Sequence, residues 1–123
     1  MRVILFCILV ISGVILAQTG CTKASADQLS TSCDTLSVGY AKDIVPILTA
    51  YCYECHGNGN TAGSNGVLLE GYANLKGWAL NNNYLVGNVT HAPGYIGMPY
   101  GRPMLPACEI NKIVAWVNQG EQQ

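Results

Sequence analysis

Cys52-Tyr53-Glu54-Cys55-His56 sets two thiols at C-x-x-C spacing with an imidazole directly after the second. That pattern suits one chemistry above others. Two thiols add across the two vinyl groups of a porphyrin, and the next residue places an imidazole under the iron. Two rival chemistries use the same cysteine spacing. A thioredoxin-like dithiol expects its pair beside a βαβ pattern, and no strand-rich sequence surrounds residues 52–55. A structural zinc needs two further ligands, usually a second close pair, whereas Cys33 and Cys108 are distant singles. The spacing therefore favours one covalently attached c-type haem, with Cys52 and Cys55 holding the ring and His56 as an axial ligand.

A sixth ligand has to come from elsewhere. Residues 91–106 (HAPGYIGMPYGRPMLP) are too rich in proline and glycine for a regular element. Yet the stretch is apolar enough to pack on something, which an ordinary solvent loop is not. It offers three candidates, His91, Met98 and Met104.

Helices flank these residues. Ile44, Ile47, Leu48 and Tyr51 recur at i, i+3, i+4, i+7 and predict a helix running into the cysteine motif. Asp43 is its expected N-cap, and Pro46 is tolerated within the first turn. Ile110, Ile113, Val114 and Val117 predict a closing helix, with Pro106 at its start, Gly120 as its stop and Trp116 packed beside the stripe. Between them, residues 72–78 suggest a short helix and residues 80–90 another. The glycine- and asparagine-rich stretch 57–66 reads as an irregular exposed loop; no strand precedes it and no Lys-Ser/Thr follows, so it is not a phosphate-binding loop.

The whole chain has 123 residues, 11% of them charged, and a formal net charge of −1. That length is one domain. Six lysines and arginines cannot neutralise many phosphates, which excludes nucleic acid as a partner held by a basic footprint. Residues 3–17 are apolar apart from Ser12 and Gly13 and follow Arg2, the shape of a secretory signal and short of the roughly 20 residues of a comfortable membrane span. Leu16-Ala17-Gln18-Thr19-Gly20-Cys21 resembles a bacterial lipoprotein cleavage site, although Gln18 stands where such sites usually carry leucine. The expected organisation is a signal peptide over 1–20, carrying Cys7 away, a polar tether over 21–32 with Cys21 lipidated, and a domain over 33–120.

Taken in order, the D-I-V-P-I-L helix, C-Y-E-C-H-G, L-L-E-G-Y-A-N-L-K, G-M-P and C-E-I-N-K-I-V-A-W-V-N-Q-G resemble the small class I cytochrome c domains of exported bacterial proteins. The resemblance implies an all-α cytochrome c-like fold, three to five short helices around a covalently bound haem with long irregular loops. It implies that the first and last helices cross, and that the ligand methionine precedes a proline, as Met98 precedes Pro99. Arg102-Pro103-Met104 departs from the glycine-rich stretch expected after that ligand, which keeps Met104 open beside His91. If the helices cross, Cys33 and Cys108 come within the roughly 4.4–6.8 Å Cα separation of a disulfide, which an exported protein would form.

With both axial positions filled by protein, small molecules reach the iron poorly. The expected function is then outer-sphere transfer of single electrons between redox protein partners, not enzymatic turnover, by a periplasmic cytochrome tethered to a membrane through its lipid anchor. A haem subunit fixed in a respiratory or dehydrogenase complex is the alternative, and an open-site haem enzyme or sensor a third. Low charge implies modest electrostatic steering.

Overall fold

The computed structural model describes residues 33–81 and 83–123. The expected signal peptide, the tether and Cys21 lie outside the described residues. Those described form a helical domain without a β-strand. No helix among them is long and apolar enough to cross a membrane.

A π-helical turn, Tyr40–Ile44, leads into α1 (Val45–Tyr51). After a break at Cys52 the chain resumes helix as α2 (Tyr53–His56). A 3₁₀ turn (Ala62–Ser64) sits in the glycine-rich loop, followed by α3 (Tyr72–Leu80), α4 (Tyr84–Val89) and α5 (Ala107–Asn118).

The predicted stripe of the first helix is the core: Ile44, Ile47 and Leu48 are buried and Tyr51 is half-buried. Its predicted start is not. Asp43 does not cap the helix from outside, because the helical path begins one turn earlier at Gly39. Asp43 instead lies inside that turn and its Oδ2 accepts the Gly39 amide at 3.1 Å. An acidic side chain reaching back to a free amide at a helix start relieves an otherwise unsatisfied donor. Pro46 falls in the first turn of α1, directly after the π-helical turn.

In α5 the burial is shifted from the predicted stripe. Ile113 and Trp116 are fully buried, while Ile110, Val114 and Val117 are half-buried. The indole decides the rotation, since it carries the largest apolar area on the helix and needs a partner for its N–H. Trp116 Nε1 donates to the Gln122 carbonyl at 2.7 Å, and its ring lies 6.2 Å from that of Tyr40.

Polar contacts fasten the two ends of the domain together. Val38 N–H donates to Gln119 Oε1 at 3.0 Å, Gln119 Nε2 to Thr35 O at 2.7 Å, and Tyr40 N–H to Gln122 O at 3.0 Å. Lys112 Nζ stands 3.3 Å from Asp43 Oδ1. Beside this seam Cys33 and Cys108 come together, their Cα atoms 5.4 Å apart. The packing that brings the two ends together is thus also what brings these two cysteines within bonding range.

Candidate haem site

Leu69, Leu85, Val89 and Leu105 are buried in the domain yet border a cavity of about 750 Å³. That volume is in the upper half of the roughly 300–1,000 Å³ usual for cofactor and ligand sites. Trp78, Tyr84 and Asn88 also line it. Cys52, Cys55, His56 and Met98 all line it; His91 and Met104 do not.

Local structure explains how the attachment residues reach the cavity. The Cys52 amide still donates to Leu48 O at 2.8 Å, so α1 delivers the motif directly, and His56 N–H donates to Cys52 O at 2.9 Å. The motif therefore closes on itself as one helical turn. Gly57 must follow, because a Cβ there would stand 2.6 Å from the Tyr53 carbonyl oxygen.

His56 Nδ1 lies 3.0 Å from the Val67 carbonyl oxygen. A carbonyl only accepts, so Nδ1 carries the proton and Nε2 keeps its lone pair for a metal. Ser64 Oγ, 3.0 Å from the same oxygen, helps hold it in place. The 3₁₀ turn in the glycine-rich loop thus has a job that its sequence does not advertise.

Burial pushes the Cys52 thiol up to about 11. Reactive C-x-x-C dithiols show the opposite, with one thiol well below its ordinary value. Nor do three His, Cys, Asp or Glu side chains converge as a metal cluster anywhere among the described residues. Among the described residues neither dithiol exchange nor structural zinc, the two rivals considered from the sequence, finds support. Two thiols on one helical turn, a tautomer-fixed imidazole, a thioether and a large apolar cavity are a donor set that fits a covalently attached haem.

The remaining sequence candidates have other surroundings. His91 is exposed, and its Nε2 lies 3.0 Å from the Met98 carbonyl oxygen. Met98 N–H in turn donates to Asn88 O at 2.9 Å, so both backbone polar groups of Met98 are engaged. Gly97 makes room for the imidazole, whose ring atoms would stand 3.1 Å from a Cβ at that position. Met104 is 47% exposed.

One feature of the site has no sequence signal. Arg102 Nη1 and Nη2 donate to Glu54 Oε2 and Oε1 at 2.8 and 2.9 Å, joining the methionine loop to the attachment turn. Hydrogen bonding to the guanidinium, helped by its charge, holds the Glu54 carboxyl below its ordinary value. The two residues are 48 positions apart, and neither type nor spacing links them.

An all-helical domain whose motif cysteines, histidine and loop methionine border one apolar cavity is a class I cytochrome c domain, and such domains bind haem c and transfer electrons. Residues 41–117, more than half of the chain, match the family model described as cytochrome C oxidase, cbb3-type, subunit III, and the chain belongs to that family. No curated protein and no solved structure gives a significant match.

Proposed function

We propose that this protein is a membrane-tethered periplasmic cytochrome with one haem c, carrying single electrons between redox protein partners. When bound, the haem supplies a one-electron iron couple. Cys52 and Cys55 would hold it through thioether bonds, and His56 Nε2 and the Met98 sulfur would supply donors to its iron. The observation that carries this reading is that His56 and Met98 border the same cavity while Val67 O takes the other imidazole nitrogen. Leu69, Leu85, Val89 and Leu105 exclude water, and a methionine ligand in an apolar site favours a raised potential. Cleavage before Cys21 and its lipidation supply the anchor, and a Cys33–Cys108 disulfide staples the exported domain.

The rim of the cavity supports modest steering. Ile96 and Tyr100 are 60% and 80% exposed, and the rim charges Glu54 and Arg102 cancel each other. Electron transfer is therefore expected to depend weakly on ionic strength.

The testing experiment is an absorption spectrum of the purified protein, oxidised and reduced. The expected result is the reduced α-band of haem c together with the weak far-red band of sulfur-ligated ferric iron. A high-spin spectrum that binds carbon monoxide readily would overturn it in favour of an open-site enzyme or sensor. A second reading, a haem subunit fixed in a respiratory complex, is favoured by the matched family, which is described as an oxidase subunit. Stable co-purification with other chains would select it over a free carrier.

A further inference from the structure

The loop that carries Met98 is tied down unevenly. Toward α4 it is held by backbone bonds, Met98 N–H to Asn88 O and Ala92 N–H to Gly87 O, both 2.9 Å. Toward the attachment turn the tie is the side-chain pair Arg102–Glu54. Arg102 is coupled to the ligand position through a tight turn, because its amide donates to the Pro99 carbonyl at 3.1 Å. Glu54 is equally fixed, since it stands between the two cysteines and its own carbonyl accepts Asn60 Nδ2. A bidentate guanidinium–carboxylate contact sets orientation as well as distance.

We propose that Arg102 and Glu54 form a clasp that closes the methionine loop over the haem cavity, which makes Arg102 a positioning residue for Met98. The proposal rests on the reading of Met98 as the sixth ligand. Both side chains are largely solvent-exposed, 57% for Arg102 and 66% for Glu54, so the clasp is weak and screened by salt. Its effect is on how often the loop opens. The fold itself does not need it, because the core residues are elsewhere.

The test uses the ferric holoprotein and measures the rate at which imidazole displaces the sixth ligand, above pH 8 so that the entering ligand is neutral. In the parent protein the rate should rise with added sodium chloride, as screening loosens the clasp. Arg102→Ala and Glu54→Gln should each bind imidazole roughly two- to fivefold faster at low salt, the range an exposed pair supports, and should lose the salt dependence. Arg102→Lys, which keeps the charge without the fork, should fall between. Exchanging the charges, Glu54→Arg with Arg102→Glu, should restore slow, salt-sensitive binding. Unchanged rates in the single variants, or a salt dependence that survives them, would overturn the clasp. The far-red band separates the two levels: its absence from the parent protein would overturn the Met98 reading and the clasp with it. Its presence together with unchanged rates would overturn the clasp alone.

Discussion

His91 Nε2 lies 3.0 Å from the carbonyl oxygen of Met98. A residue that the sequence offers as a rival iron ligand instead holds the backbone of the methionine that borders the cavity. A carbonyl only accepts, so Nε2 is the donor in this contact. Its neighbour Gly97 has no side chain because the ring occupies that space.

Met98→Ala is therefore expected to abolish the far-red band, whereas Met104→Ala and His91→Ala should leave it in place. His91→Ala should also loosen the loop, seen as faster hydrogen exchange at the Met98 amide by a factor of about five, the equivalent of one ordinary hydrogen bond. Loss of the band in Met104→Ala alone would reassign the ligand.

Gly87 is set by a neighbour rather than by its backbone angles. A Cβ there would overlap the Tyr95 ring, in a buried stretch of α4. Gly87→Ala should cost about 1–3 kcal/mol, as overpacking does, read as a lower denaturation midpoint. Tyr95→Ala in the same background should return part of that loss, since the two residues are in contact.

Cys33 and Cys108 are separated by 75 residues in sequence. On the chain-entropy account, a bridge of that span adds up to about 4 kcal/mol. The double variant Cys33→Ser/Cys108→Ser should unfold at lower denaturant than the parent under oxidising conditions and match it under reducing ones. Mass spectrometry of the non-reduced protein should find the two cysteines in one linked peptide pair; free thiols at both positions would refute the bridge.

Asp43 links stability to acid. Burial pushes its carboxyl up, but the Gly39 amide and the Lys112 ammonium outweigh that and leave it below its ordinary value. A carboxyl whose folded value lies below its unfolded one stabilises the fold above the unfolded value, about 3.9. That contribution disappears as pH falls through the folded value. Asp43→Asn keeps an acceptor for Gly39 and loses the charge opposite Lys112. It should melt a few degrees below the parent at pH 7, with the gap closing below about pH 4 in thermal scans.

The elements of this domain were legible wherever one local pattern governed them. Ile44, Ile47 and Leu48 are buried as their spacing predicts, because helical periodicity and burial report the same face. The closing helix is found where Ile113 and its neighbours place it, yet its most buried face includes Trp116. Periodicity weighs residues equally, whereas packing favours the largest ring. The start at Gly39 was hidden because Asp43 looks like a cap from its type, and only the backbone path shows it reaching backward to that amide.

By itself the sequence determined the chemistry of attachment. C-Y-E-C-H, an entering helix and a methionine-proline loop depend on residue types and short spacings, which hold in any fold that carries them. Tertiary structure decided what depends on long-range juxtaposition. It set Met98 at the cavity and His91 on the Met98 backbone, aimed the His56 ring by way of Val67, and paired Arg102 with Glu54 across 48 residues. The physical reason is the same in each case. These placements follow from the burial of Ile44, Leu48, Ile113 and Trp116, and no local periodicity records which distant groups that burial leaves adjacent.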